Sequence, residues 1–196
     1  MQYLQDSLTG KREHLEKMDP EIAENLTRLG HVYCDSSEWD NAVDCFSDCL
    51  KIREAIRSTD TPSQILVADA LFDLGTALNK ALDTRRSMQL FTDALKEYLR
   101  LLEKHHLKVA RCHSRIGEVY EKENELNKAI VSLEKAASIY EHNFGPGEPR
   151  EKEVKALKFG GDYSGQAETL FHLATAHDRS GDEAAALKLY RRVRYY

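Results

Sequence analysis

The residues of this chain that could bind a metal ion or act as nucleophiles are, first of all, its four cysteines. Cys45 and Cys49 are four residues apart and would share one face of a helix. Neither they nor Cys34 and Cys112 stand at zinc-ligand spacing from a second Cys/His pair. Because free cysteine commonly packs as a small hydrophobic residue, we predict four buried structural thiols in a reducing compartment, the cytoplasm.

Histidine pairs offer the other metal-binding chemistry. His105 and His106 are adjacent in sequence, and adjacent residues of a helix do not face one site. His172 and His177 are five residues apart, a rotation of about 500° around a helix, which is too far for one metal. We therefore predict no metal and no cofactor, and we expect His105 and His106 to form a solvated corner between repeats.

No catalytic motif is present in the sequence. It has no glycine-rich phosphate loop, no H-E-x-x-H and no G-x-S-x-G. Acidic residues are plentiful, but the sequence pattern forces none of them into a low-dielectric cleft. We therefore predict that the chain is not an enzyme.

The charge balance narrows the classes of partner. The net charge of −5 argues against binding to a phosphate backbone, and only the tail residues Arg191, Arg192 and Arg194 favour it. No apolar run approaches the roughly 18–20 residues that cross a bilayer. The first residues also lack a secretory signal pattern. We expect neither nucleic acid nor a membrane as a partner.

The elements that must position these residues begin with one helical hairpin. Leu26, Leu29, Gly30 and Tyr33 share a helix face, and Ala42 and Phe46 start a second face after a polar turn. A glycine inside a helix costs about 1 kcal/mol relative to alanine, so Gly30 needs a packing reason. We predict close approach of the second helix, with Ala42 as the small partner.

The same spacing recurs three times along the chain. Gly75, Gly117 and Ala174 take the place of Gly30. Twelve residues later come the small residues Ser87, Ala129 and Ala186, and four residues after those come Phe91, Leu133 and Tyr190. Self-similarity at fixed spacing indicates a repeat protein.

The recurring L-G-x2-Y and A-x3-F pattern resembles that of the tetratricopeptide repeat (TPR) family. Gly75 lies 45 residues after Gly30, and Gly117 lies 42 residues after Gly75, against about 34 in the ordinary repeat. This length, and the junctions at 19–26 and 139–149, resemble kinesin light chains, whereas the junction at 161–167 resembles Pins-like scaffolds. The resemblance implies an all-α fold, an α-α superhelix of antiparallel helix hairpins, with a role in protein binding.

The repeats predict the organisation of the chain. We expect an orphan second helix of a truncated repeat at 1–17, repeats at 20–58, 62–104 and 108–143, an insertion at 144–162, and a fourth, uncapped repeat at 163–196. An orphan helix at one end and an uncapped hairpin at the other would follow if the chain were cut from a longer array.

First helices line the concave face of such an array. The predicted peptide groove contains Glu24, Thr27, His31 and Cys34; Asp69, Phe72, Thr76 and Asn79; Arg111, Ser114, Glu118 and Glu121; and Glu168, Phe171, Thr175 and Asp178. Six acids and one arginine favour a basic peptide, and exposed Phe72 and Phe171 would anchor its apolar residue. Alternatively, both phenylalanines pack against neighbouring repeats and the charges form a solvated face.

Two functions remain open at this point. The first is a non-catalytic adaptor or scaffold that binds a partner peptide in the groove. The second is a structural spacer or assembly segment of a longer multi-repeat protein, joined through its uncapped ends by end-to-end self-association.

Overall fold

Every secondary-structure element described by the computed structural model is an α-helix, and the description covers residues 19–145 and 163–193. The helices are α1 (Pro20–Asp35), α2 (Trp39–Ala55), α3 (Thr61–Lys80), α4 (Thr84–Leu101), α5 (Leu107–Lys122), α6 (Leu126–Phe144), α7 (Tyr163–Ser180) and α8 (Glu183–Val193). The predicted fold class, an all-α solenoid of helix hairpins, is confirmed. The predicted helix at 1–17 and nearly all of the predicted insertion lie outside the described residues.

Helix starts follow local capping chemistry. The Asp19 carboxylate accepts a hydrogen bond from the Glu21 amide at 2.7 Å, and Asp60 accepts one from the Ser63 amide at 2.9 Å. His106 caps α5, because its Nδ1 accepts from the Lys108 amide at 3.1 Å. Of the two corner histidines, one therefore sets the start of a helix.

The first and second helices of a hairpin approach closely at the motif glycines. A Cβ added at Gly30 would lie 2.6 Å from the Phe46 ring, and one at Gly117 would lie 2.5 Å from Leu133 Cγ. The predicted close approach is confirmed, and Ala42, the predicted small partner, is fully buried. The large residue four positions later fills the space, because the missing side chain leaves room for it.

The helices form two compact units, α1–α4 and α5–α8. In the first unit, Leu74 and Ala77 of α3 join the apolar core of the α1–α2 hairpin. In the second unit, Leu173 and Ala176 of α7 pack with Ala129 and Leu133 of α6. In both units the docking helix uses a leucine and an alanine three residues apart, at the same places relative to the motif glycine or alanine.

Candidate functional site

The predicted groove residues fall on one face of each first helix. We call this the first-helix face: the residues three before, one after and four after Gly30, Gly75, Gly117 or Ala174. Its members are Thr27, His31 and Cys34 on α1; Phe72, Thr76 and Asn79 on α3; Ser114, Glu118 and Glu121 on α5; and Phe171, Thr175 and Asp178 on α7. Asp69 and Arg111 lie one turn earlier on α3 and α5.

On α1 the face is polar and weakly charged. Thr27 Oγ1 lies 3.2 Å from Cys49 Sγ and accepts a hydrogen bond from Arg53 Nη2 at 3.1 Å. His31 Nε2 lies 3.7 Å from Asp73 Oδ2 of α3, and 56% of the His31 side chain is exposed. Such an arrangement can donate and accept hydrogen bonds but carries little fixed charge.

The thiols near this face are not activated. Burial raises the pKa of Cys34, and the charges of Asp73 and Asp35 raise it further. Burial also raises the pKa of Cys49, against smaller lowering effects of Thr27 and Arg53. Cys34 is half-buried, whereas Cys45, Cys49 and Cys112 are buried, and all four are free. Protonated thiols are poor nucleophiles, which fits the structural role predicted for them.

On α3 the face is largely closed. Phe72 is only 5% exposed, and its ring packs on the Phe91 ring with centroids 5.6 Å apart. Asn79 is also buried. Asp69 accepts a hydrogen bond from the Tyr98 hydroxyl at 2.5 Å, and Thr76 donates to the Phe72 carbonyl. The expectation that Phe72 is an exposed anchor is therefore wrong, because its side chain folds onto its own hairpin.

On α5 the face is taken up by ionic contacts. Arg115 donates to both carboxylate oxygens of Glu168 at 2.8 and 3.1 Å, and to Glu118 at 2.9 Å. Lys122 lies 3.2 Å from Glu118, whose side chain is 6% exposed. Burial alone would lower the pKa of Arg115, but the charges and hydrogen bonds of Glu168 and Glu118 outweigh it and raise that pKa. The guanidinium therefore stays charged.

Further along α5, Glu121 binds two residues of α7. One carboxylate oxygen lies 2.8 Å from His172 Nδ1, and the other lies 3.4 Å from Arg179 Nη1. Arg179 also donates to the Glu121 carbonyl at 3.0 Å. Ser114, which is buried, accepts a hydrogen bond from Thr169 Oγ1 at 2.9 Å. The α5 face thus serves the contact between two repeats.

The sequence analysis did not predict the ion pairs of this contact. Arg115 stands three residues before Glu118 and Lys122 four after it, spacings that predict ion pairs along a helix. The partners Glu168 and His172 lie more than fifty residues away in sequence, so no helical period reveals them. In the second unit, Glu118 and Glu121 of the predicted groove are therefore already paired with basic side chains. The number of acidic residues in the predicted groove thus overstates the negative charge that a partner could contact.

One cluster brings possible metal ligands together. Single ligand atoms of Glu118, Glu168 and His172 lie within 4.8 Å of one another. Both carboxylates already face Arg115, and Glu118 also faces Lys122. These cations would repel a divalent ion, so the cluster favours an ion-pair network over a metal site.

On α7 the face is open. Phe171 is 50% exposed, as predicted, and its ring packs edge-on against Tyr190 of α8 with centroids 6.1 Å apart. Thr175 Oγ1 lies 3.3 Å from the Tyr190 hydroxyl, and Asp178 is exposed. Leu187 of α8 is 53% exposed. An aromatic ring, a carboxylate and an exposed leucine therefore share the last described hairpin.

Comparison with known proteins places the chain among helical repeat proteins. The profile of the family described as SNAP, soluble NSF attachment protein, matches residues 16–156. No curated protein sequence matches the chain. None of the described helices is long and apolar enough to span a bilayer.

Three solved structures illustrate the similarity. BtubC (BKLC) from P. vanneervenii has a TM-score of 0.73 at 19% identity, over 97% of this chain and 69% of that one. Apo RapI has a TM-score of 0.75 at 19% identity, over 98% and 61%. A Podosopora anserina putative kinesin light chain with nearly identical TPR-like repeats has a TM-score of 0.54 at 14% identity, over 90% and 95%. At these identities the similarity establishes the fold.

Proposed function

The chain belongs to the soluble NSF attachment protein family, and from that membership and its TPR-like fold we propose that it is a non-catalytic protein–protein interaction module. TPR-like solenoids generally expose extended faces that bind other proteins. In this chain we assign binding of a partner segment to the open first-helix face of α7, in an adaptor or scaffold role. The free thiols fit a cytoplasmic protein.

One observation carries the proposal: the half-exposed Phe171 on the open α7 face. Exposed aromatic residues with a neighbouring pocket or ring are frequent anchors of protein interfaces. Asp178 stands two turns further along the same face and is exposed. A partner with an apolar anchor and a basic residue fits this pair, which retains part of the preference expected from the sequence.

An alternative function is a structural spacer or assembly segment of a longer multi-repeat protein, joined through its ends. The exposed apolar side chains of Phe171 and Leu187 on the last described hairpin also favour it. Self-association through this hairpin would make the sedimentation coefficient rise with protein concentration. Binding of a different protein would leave the free chain monomeric at all concentrations.

Affinity capture from cell lysate, quantified by mass spectrometry, tests the proposal. The full chain would be compared with Phe171→Ala and Asp178→Arg, after circular dichroism establishes equal helicity. Val131→Ala and Glu134→Arg are matched controls, because Val131 is 51% exposed and Glu134 is exposed, both on α6. We expect partners to be lost with the two α7 variants and retained with both controls. Identical partner lists for all four variants would contradict the proposal.

A further inference from the structure

The contact between α5 and α7 is a template for what binds the open face. Thr169 of α7 bonds to Ser114, which lies three residues before Gly117. His172 and Arg179 bond to Glu121, which lies four residues after Gly117. The face of α5 is therefore covered by a helix that places a short side chain first and basic side chains afterwards.

The same places on α7 are held by different residues. Phe171 lies three residues before Ala174, where α5 has Ser114, and Asp178 lies four residues after Ala174, where α5 has Glu121. Ser114 is 6% exposed and the Glu121 side chain 14% exposed. By contrast, Phe171 is 50% exposed. The face of α5 is thus covered by α7, whereas Phe171, at the corresponding place on α7, is half exposed.

The apolar part of the docking contact also repeats. Leu173 and Ala176 of α7 pack with Ala129 and Leu133 of α6, and Leu74 and Ala77 of α3 join the core of α1 and α2 in the same register. On α8 the equivalents of Ala129 and Leu133 are Ala186 and Tyr190. The chain therefore holds two examples of a helix that docks through a leucine and an alanine three residues apart.

We propose that Phe171, Asp178 and Tyr190 form a docking site for an amphipathic helix of a partner protein. The helix carries an apolar residue, a basic residue three positions later, a leucine next to that, and an alanine three positions further on. This order copies Thr169, His172, Leu173 and Ala176, with one change: the first residue is apolar because it meets Phe171 instead of Ser114. The inference rests on the proposed function and names the partner's chemistry.

Two physical features select this occupant. Covering a half-exposed aromatic ring with an apolar side chain removes apolar surface from water, which favours binding. The Asp178 carboxylate replaces Glu121, which accepts from both basic residues of α7, so the partner needs a cation there. An acidic helix would place like charges together and bind less well.

Fluorescence anisotropy with two labelled peptides tests the inference. The first has the sequence of residues 163–180 with Thr169→Leu and His172→Arg, and with Phe171→Ser so that peptides do not bind each other. The second carries Thr169→Leu and Phe171→Ser, but has His172→Glu and Arg179→Glu. A hydrocarbon staple on the opposite face keeps both helical, since helix nucleation is unfavourable in an isolated peptide.

With the full chain, we expect the basic peptide to bind saturably and the acidic peptide at least tenfold more weakly. Phe171→Ala should weaken the basic peptide about tenfold, whereas Val131→Ala should leave it unchanged. Asp178→Arg should reverse the order of the two peptides, and Glu134→Arg should not. Equal binding of both peptides, or equal effects of the α6 controls, would overturn the inference.

The inference and the proposed function fail separately. If lysate partners are lost with Phe171→Ala but neither peptide binds, the module function stands and the helical partner is wrong. If no variant changes the lysate partners, the function itself is wrong. Concentration-dependent sedimentation that Phe171→Ala abolishes would assign the site to a second copy of the chain, and would overturn the partner helix.

Discussion

The two units join their first helices by different chemistry. Between α1 and α3, His31 and Asp73 approach to 3.7 Å at an exposed edge of an otherwise apolar core. Between α5 and α7, Arg115 forms a bidentate pair with Glu168, and Glu121 binds His172 and Arg179. One repeat contact is apolar with a polar edge, and the other contains a partly buried ionic network.

The two contacts should differ in their sensitivity to substitution. Apolar burial has no directional requirement, so the contact in the first unit tolerates changes in its polar edge. A partly buried ion pair adds little net stability, but removing one member leaves a charge without compensation. The network of the second unit therefore fixes which residues face each other, and we expect it to be sensitive to single substitutions.

The largest expected effect comes from breaking that network. Arg115→Ala removes a guanidinium from Glu118, whose side chain is 6% exposed and also pairs with Lys122, and it removes the same guanidinium from Glu168. We expect a loss of about 3 kcal/mol in the free energy of unfolding of the second unit, measured by urea denaturation with hydrogen exchange. His31→Ala should cost less than about 0.5 kcal/mol in the first unit. Equal costs would refute the distinction between the two contacts.

A methyl group added at the motif glycine should destabilise the first and third repeats, whereas the fourth repeat already contains one. Gly30→Ala and Gly117→Ala place a methyl group against Phe46 and Leu133, which are buried, and overpacking should cost about 2 kcal/mol each. Ala174 already carries that methyl group, and it is fully buried. Ala174→Gly should therefore cost the helix propensity of about 1 kcal/mol and, in addition, about 0.8 kcal/mol for the lost burial of the methyl group. Thermal denaturation of the three variants would show whether Gly30→Ala is destabilising; if it stabilises, the close contact is not real.

The second unit should also lose stability in mild acid. Burial, together with a smaller effect of the charge of Lys135, lowers the pKa of His113 to about 4. In the unfolded chain this histidine titrates near its ordinary 6.5, so between these values the unfolded state holds a proton that the folded state lacks. Stability should therefore fall as pH drops from 6.5 to 4, by between about 1 and 2 kcal/mol. His113→Gln should flatten this part of the pH profile of hydrogen exchange in α5, and an unchanged profile would exclude His113 as its source.

The smallest effect concerns a hairpin tip of the first unit. Seven residues after each motif glycine or alanine, the backbone has positive φ: 59° at Ser37, 68° at Leu82, 60° at Asn124 and 91° at Gly181. Leucine is strained in this conformation, and Leu82 is 77% exposed, so it contributes little burial. Leu82→Gly should raise the free energy of unfolding by about 0.5–1 kcal/mol, which would be seen as a higher melting temperature. A lower melting temperature would mean that the exposed leucine makes a stabilising contact.

The repeat spacing was enough to predict the helix pairs, because a glycine, a small residue twelve positions later and a large residue sixteen positions later allow two helices to pack closely. The site was harder to predict. Phe72 and Phe171 occupy the same place in their repeats, yet one is buried and the other is half-exposed. Local periodicity assigns a face, whereas burial depends on what packs on that face. For the same reason Asn79, which was predicted to line the groove, is buried. A double variant, Phe72→Ala with Asn79→Ala, would therefore test folding rather than binding.

The most direct test of the central claim is site-specific photo-crosslinking in cell lysate. Benzoylphenylalanine would replace Phe171 of the α7 face in one protein and Val131 of α6 in another, both about half exposed. We expect a discrete crosslinked partner from position 171, reduced by Asp178→Arg, and no such partner from position 131. The same partners from both positions, or a partner from 131 alone, would contradict the claim that the open α7 face is the interaction surface.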